Sequence, residues 1–276
     1  MKSDIGILSQ NIDKFVLIGD YKQLPAVVQQ TPEESRVSDT MLNDICLYDC
    51  RNSLFERLIN VERKAGRTQF IGLLRKQGRM HPDIAAFVNE YFYVEENLQP
   101  IPLPHKQEPS GQRMLFYDVK AAPREGTENE ISAKTNLLEA ILAARIVNDI
   151  CQSYGDEFNP RKTVGIIVPY RNQISAVRQE LEKYGNPAFA NSSVDTVERY
   201  QGSQRDVIIY SFTVSKASQL SFLTANTFTE NGRQIDRKLN VAITRARKQF
   251  IALGDKDILS QNELFRELID YIRSSN

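Results

Sequence analysis

The sequence predicts an α/β protein built on a parallel sheet that helices cover on both faces. Short apolar runs alternate along the chain with longer amphipathic segments, which is the pattern of repeated strand–helix units. The clearest run, residues 164–168, is apolar throughout, as expected for a strand that is buried on both faces. With 276 residues, the chain is long enough for one large domain or two small ones.

Composition narrows the classes of function. Lys plus Arg equals Asp plus Glu at 35 each, so any nucleic-acid contact would need a local basic surface. No apolar run reaches the length of a bilayer span, and the first residues lack the apolar core of a signal peptide. Three cysteines and two histidines are too few for a disulfide framework or a His-rich metal site. We therefore expect a cytoplasmic protein with free thiols and no metal.

The first elements lead to two polar loops. Residues 14–18 predict a buried strand, and the turn that follows holds Asp20 and Gln23, where open α/β sheets bind ligands. An ordinary turn in which Asp20 bonds its own backbone is the alternative. A helix is predicted over 53–59, a strand over 70–74, and a helix from Pro82, which suits a first turn. Arg79 then lies in a strand–helix loop, a position typical of function.

The rest of the chain alternates regularly. Residues 97–111 form a proline-rich connector, and residues 216–237 read as a polar loop. Strands are predicted over 114–117, 164–168, 194–197, 207–212 and 249–253, and helices over 136–150, 173–181 and 264–272.

One short helix is predicted over residues 239–247. Its apolar positions repeat at helical spacing, and a helix turns about 100° per residue, so Arg245 and Arg247 point to different sides. One arginine can lie against the domain while the other points outward as a phosphate ligand. A surface salt bridge is the alternative for such a pair.

The polar residues beside predicted strands suggest one shared rim. We expect the loops that follow parallel strands to bring them together; they are Gln23, Arg79, Tyr170, Arg171, Thr196, Gln204 and Arg245. The chain has no Gly-Lys pair for a phosphate loop and no apolar strand ending in Asp-Glu for magnesium. It could give arginines to a triphosphate but could not bind and hydrolyse one well by itself.

Five segments in order resemble the C-terminal region of superfamily 1B helicases, in the branch that includes the nonsense-mediated-decay RNA helicase and the replication-linked nuclease-helicase. They resemble motifs III, IV, IVa, V and VI, and they are residues 19–25, 77–82, 168–173, 194–206 and 239–247. The resemblance implies a RecA-like domain of an ATP-dependent helicase that moves along single-stranded DNA or RNA.

The resemblance also implies roles for individual residues. Gln23 would sense the γ-phosphate, and Arg79 and Arg245 would be arginine fingers across the cleft between two RecA-like domains. Arg247 would be structural, and His81 would be a structural hydrogen-bonding residue. The remaining implied assignments are Asp20, Gly202 and Gln204 at the nucleotide, and Tyr170, Arg171 and Thr196 in the nucleic-acid channel.

Two positions depart from the family pattern. Gly78 stands where the family usually has an aromatic ring that stacks on adenine, so we expect the parent enzyme to tolerate other nucleoside triphosphates. Gln204 stands where an acid is usual, which replaces a charge-assisted contact with a weaker amide contact.

Motifs I and II of the family are not in the sequence, so we expect a piece of a longer helicase. Residues 1–30 would be a remnant of the first RecA-like domain, 31–75 connecting helices, and 76–276 the second domain. The first domain would hold most of the ATP and Mg²⁺, and the exposed strand at 14–19 would favour self-association. The alternatives are a non-catalytic module that binds nucleic acid or protein, and a helicase-like domain fused to an upstream nuclease.

Overall fold

A five-stranded parallel sheet lies at the centre of the second of two units into which the chain divides, residues 1–74 and 75–276. The computed structural model describes residues 13–25, 30–101, 111–120 and 134–274. Helices flank the sheet, so the predicted α/β class is confirmed.

The strands of the described part of the second unit are β1 (Lys76–Gln77), β2 (Gln99–Pro100), β3 (Met114–Asp118), β4 (Val164–Val168), β5 (Ser193–Thr196), β6 (Arg205–Ser211), β7 (Thr227–Glu230), β8 (Arg233–Asp236) and β9 (Ala246–Gly254). The order in the main sheet is β3-β9-β6-β4-β5, and every neighbouring pair is parallel. Two small two-stranded sheets accompany it, parallel β1-β2 and antiparallel β7-β8.

The α-helices of the described residues follow the predicted alternation in the second unit. They are α1 (Pro32–Ser35), α2 (Thr40–Asp44), α3 (Leu54–Lys64), α4 (Pro82–Tyr91), α5 (Leu137–Tyr154), α6 (Arg171–Glu182), α7 (Val197–Tyr200), α8 (Leu220–Leu223), α9 (Arg237–Thr244), α10 (Lys256–Leu259) and α11 (Glu263–Ser274). Pro82 opens α4 as predicted, because a proline at the first position loses no helical hydrogen bond.

Central strand β4 forms where the apolar run at 164–168 predicted a buried strand. All five of its residues are buried, since the sheet continues on both sides and helices cover both faces. Gly165 is required there because a Cβ atom would come within 2.7 Å of the Tyr200 hydroxyl oxygen and 2.8 Å of Arg205 Cγ.

The first unit differs from the prediction. Residues 14–20 form no strand, and Val16 and Ile18 are 79% and 88% exposed. The strand predicted over 70–74 is also wrong: Thr68–Phe70 form a 3₁₀ turn, and Leu74 is 82% exposed. An apolar run becomes a strand only when a neighbouring strand satisfies its backbone groups, and the described part of this unit offers none to either segment.

A hairpin occupies part of the predicted polar loop at 216–237. Strands β7 and β8 pair across Asn231 and Gly232, which have positive φ angles of 51° and 77°. Asn-Gly between two strands is a strong hairpin signal because both residues tolerate positive φ, so the sequence did carry this element. The helix predicted over 239–247 is helix α9, which ends at Thr244, and Ala246 and Arg247 belong to strand β9.

Candidate functional site

The predicted site residues of the second unit lie at opposite ends of the sheet. Arg79 and Gln204 lie at the amino ends of β6 and β9, whereas Tyr170 and Thr196 lie at the carboxyl ends of β4 and β5. The prediction that these residues share one rim of the sheet was therefore wrong. Residues 197–204 carry the chain from one end of the sheet back to the other, since every strand of this sheet is parallel to its neighbours.

Arg79 is half-buried at the amino end and is held by neutral groups. Its Nε donates to Gln204 Oε1 at 3.1 Å, and its Nη1 donates to the Thr244 carbonyl at 3.1 Å. The Arg79 amide donates to Gln77 Oε1, which fixes the loop. In the described part of the chain no carboxylate pairs with Arg79, and burial lowers the pKa of its guanidinium. A desolvated cation without an acidic partner is suited to an anionic ligand.

Arg245 does not point outward as predicted. It is 2% exposed, its Nε donates to the Val241 carbonyl at 3.2 Å, and its Nη2 donates to Thr244 Oγ1 at 3.1 Å. Its Nη1 also reaches the Ser203 carbonyl at 3.4 Å. The guanidinium thus caps the C-terminal end of α9, where free carbonyls and the helix dipole favour a cation.

Arg247 is the more exposed of the two arginines, with 37% of its side chain accessible. It pairs with Asp206 at 2.8 Å, and the same carboxylate is 3.2 Å from the buried Lys248 ammonium. This ion-pair network supports the structural role implied for Arg247. His81 is likewise structural: its Nδ1 accepts from the Asp83 amide at 3.3 Å and caps α4.

Gly202 and Gln204 shape the amino-end loop. Gly202 has a φ of +80°, a left-handed conformation that favours glycine. A Cβ atom built at this position would have no other heavy atom within 4 Å, apart from its chain neighbours. Gln204 uses its side-chain oxygen as an acceptor for Arg79. An amide there leaves the arginine charge uncompensated, whereas a carboxylate would form an ion pair with it.

The carboxyl end carries a stacked aromatic pair that sequence reasoning only half identified. The rings of Tyr170 and Phe222 are 4.9 Å apart with planes at 19°. The Lys238 ammonium lies 4.3 Å from the Phe222 ring centroid and 4.0 Å from Glu198. Phe222 is an aromatic residue within the predicted polar loop at 216–237, and this was the sequence signal that could have identified it. Arg171 is exposed beside Tyr170, and Thr196 is half-buried at the start of α7.

A buried polar network, which was not predicted from the sequence, lies beneath this end of the sheet. Glu139 is fully buried and accepts from the Ser211 hydroxyl at 2.6 Å, the Thr213 amide at 2.9 Å and the Asn136 side chain at 2.9 Å. Gln173 joins the network through Asn136. Burial raises the pKa of Glu139 to about 8, more than the three hydrogen bonds lower it.

Helix α9 joins the two ends. Lys238 in its first turn lies beside the aromatic pair, and Thr244 in its last position accepts from Arg79. The helix has eight residues, so the two ends are about 12 Å apart along its axis. Residues 238–244 are all buried, which makes this connection rigid.

Asp20 and Gln23 lie in the first unit, at a turn that follows residues 14–18. Gln23 Nε2 donates to Asp20 Oδ2 at 2.9 Å, and the Lys22 amide donates to Asp20 Oδ1 at 3.0 Å. Asp20 therefore does organise its own turn, as the simpler alternative expected.

The described residues contain no group of three or more His, Cys, Asp or Glu side chains that could hold a metal ion. None of their helices is long and apolar enough to cross a membrane.

Comparison with known proteins gives consistent matches. A family model described as an AAA domain matches residues 50–257. The chain is 28% identical to helicase sen1 of Schizosaccharomyces pombe, over 93% of this chain and 14% of that protein. It is 30% identical to a probable helicase of Dictyostelium discoideum, over 95% of this chain and 24% of that protein. It is 28% identical to regulator of nonsense transcripts 1 of the same organism, over 98% of this chain and 18% of that protein. The chain thus spans less than a third of the length of these relatives.

Proposed function

Because the chain belongs to the AAA domain family and matches superfamily 1 helicases over most of its length, we propose that it is the second motor domain of an ATP-dependent nucleic-acid helicase. In this proposal a first RecA-like domain makes most of the contacts to ATP and Mg²⁺. ATP supplies the phosphoryl group, and Mg²⁺ neutralises its charge. The present chain supplies arginines and part of a single-strand channel, and it acts in the cytoplasm.

The observation that carries the proposal is the state of Arg79. Its guanidinium is half-buried and fixed by Gln204 and Thr244, both neutral. A fixed, desolvated cation stabilises charge that develops on a transferring phosphoryl group, because it needs little reorganisation during the reaction. Gln204 accepts from Arg79 without neutralising its charge.

Arg245 has a different role in this proposal from Arg79. It holds the carbonyls of Val241 and Ser203 and the hydroxyl of Thr244. It therefore shapes the amino-end loop from which Arg79 acts, and contact of Arg245 with phosphate would require its guanidinium to leave these acceptors.

The carboxyl end is proposed to bind the nucleic-acid strand through Tyr170, Arg171 and Thr196. Helix α9 contacts both ends, so a shift of one end moves the other as a rigid body. This arrangement supports coupling between nucleotide and strand binding, in which Gln23 would take part from the first unit.

The test is nucleic-acid-stimulated ATP hydrolysis by a protein that carries this chain together with its first motor domain. We expect Arg79→Ala to lower turnover by about 10³- to 10⁵-fold, the usual contribution of an arginine finger. Its thermal stability should change little, because both lost bonds are to neutral acceptors and one of these, Gln204, is exposed.

Arg247→Ala is the matched control, since it removes an arginine of the same region that pairs with Asp206. It should lower stability and leave turnover near the wild-type value at temperatures where the protein is folded. Arg245→Ala should lower both quantities. Wild-type turnover in the Arg79 variant would contradict the proposed function.

A further inference from the structure

Phe222 is the most exposed aromatic ring at the carboxyl end of the described sheet. It keeps 44% of its surface exposed although Tyr170 stacks against it. Tyr170 follows strand β4 and Phe222 follows strand β6, which are neighbours in the sheet. Two separate loops therefore converge to build one near-parallel aromatic stack on the surface.

Cationic side chains lie on the segments that carry this stack. Lys238 is 7% exposed, and its ammonium lies 4.3 Å from the Phe222 ring centroid and 4.0 Å from Glu198, so it supports the ring and does not face solvent. Arg171 directly follows Tyr170 and is exposed, and Lys216 is exposed in the segment that leads to Phe222. The chain as a whole has no net charge, so a polyanion would need local exposed cations, and Arg171 and Lys216 are candidates on these two segments.

The segment that carries Phe222 is held in place from below. The amide and hydroxyl of Ser215 and the amide of Lys216 donate to Gln219 Oε1, at 2.8, 3.2 and 2.9 Å. Thr213, at the base of the segment, has a positive φ of 54° and donates its amide to the buried Glu139 carboxylate. The ring is therefore presented by a fixed loop, which lowers the entropy lost when a ligand binds.

We propose that Tyr170 and Phe222 form a stacking platform for the bases of a single nucleic-acid strand, with the exposed side chains of Arg171 and Lys216 available to its phosphates. The proposal rests on the nucleic-acid binding proposed above and adds a residue, Phe222, and a mode of contact. Stacked aromatic rings flanked by cations are the combination that binds single strands without sequence preference, because every base has a π-face.

The chain contains no tryptophan, which allows a direct test. In Phe222→Trp the single indole reports on its own surroundings, and stacking against a base quenches its fluorescence. We expect saturable quenching on addition of oligothymidylate, and none on addition of an abasic oligomer of the same length at concentrations where both are bound.

Tyr184→Trp is the matched control, because Tyr184 is 42% exposed and follows the opposite end of α6 from Tyr170. Its fluorescence should not respond to either oligomer. A second variant, Phe222→Leu, should weaken binding of oligothymidylate by about 5- to 150-fold, the range for losing one stacked base. Its affinity for the abasic oligomer should equal that of the wild type, and Phe222→Tyr should restore binding of oligothymidylate.

The outcomes separate this proposal from the one on which it rests. If wild-type chain binds oligothymidylate but Phe222→Leu binds it equally well, the stacking platform is overturned and nucleic-acid binding stands. Equal weakening for both oligomers would also overturn it, since the effect would not depend on bases. If the wild-type chain binds neither oligomer, both proposals are overturned for this chain.

Discussion

Burial of Glu139 is expected to make the stability of the second unit depend on pH near neutrality. It is fully buried, and no cationic side chain lies within salt-bridge distance of it in the described part of the chain. The perturbation is Glu139→Gln, which keeps an oxygen to accept from the Ser211 hydroxyl and the Thr213 amide but cannot ionise.

The magnitude follows from the difference between the folded and unfolded pKa values. Burial raises the pKa of Glu139 from 4.5 to about 8, so the folded state binds the proton more tightly than the unfolded state. The resulting stabilisation is fully present below pH 4.5 and is lost as pH rises through about 8. Between these values the free energy of unfolding should fall by about 1.4 kcal/mol per pH unit, or by about 5 kcal/mol in all.

Urea denaturation at several pH values between about 5.5 and 7.5 measures this slope, in a window where ordinary carboxylates no longer titrate. Hydrogen exchange of the β6 amides assigns the transition to the second unit. The slope should be largely absent in Glu139→Gln. Glu180→Gln is the control, since it removes a buried carboxylate that pairs with Lys183 at 2.6 Å and leaves Glu139 in place.

Equal slopes in the wild type and Glu139→Gln would contradict the assignment of the pH dependence to Glu139, because the wild-type dependence would then come from other groups. A wild type that grows more stable as pH rises would refute the sign. The segment from Thr213 to Phe222 should keep its conformation in Glu139→Gln, because the Thr213 amide still has an acceptor.

Two further substitutions test the packing of the sheet and the ion-pair network. Gly165→Ala should lower the free energy of unfolding by about 1–3 kcal/mol, because its Cβ would lie 2.7 Å from the Tyr200 hydroxyl oxygen inside the core, and urea denaturation measures this. Asp206→Asn should cost about 3 kcal/mol, because it leaves the ammonium of Lys248, which is 5% exposed, without its 3.2 Å carboxylate partner; thermal unfolding followed by circular dichroism measures this.

Each of these substitutions has an internal comparison. Gly72→Ala should have little effect, since no atom lies within 4 Å of its Cβ position. Asp257→Asn should leave stability unchanged, because its pair with Lys120 is largely exposed. A Gly165 variant as stable as the wild type would mean that Tyr200 moves aside at no cost. An Asp206 variant no worse than the Asp257 variant would show that the network contributes nothing.

Local signals were sufficient for the elements of the main sheet. The run at 164–168 and the periodic helices at 137–154 and 263–274 formed as expected, because each buries a continuous apolar face. The failures at 14–18 and 70–74 share one cause: a strand depends on a neighbour, and apolar composition by itself supplies none. The hairpin at 227–236 was readable from Asn231-Gly232 and was missed because the segment was judged by polarity.

Sequence patterns were sufficient to predict the α/β class, the helicase resemblance and the residue types that could bind a phosphate or a nucleic-acid strand. The positions of those residues depend on the tertiary structure. Helical periodicity showed that Arg245 and Arg247 point apart, but not which one is buried, because that depends on the carbonyls that α9 and the Ser203 loop present. The tertiary structure also places the candidate residues at two opposite ends of the sheet and brings Tyr170 against Phe222. Contacts between residues that are distant in sequence form only when the strands take their order in the sheet.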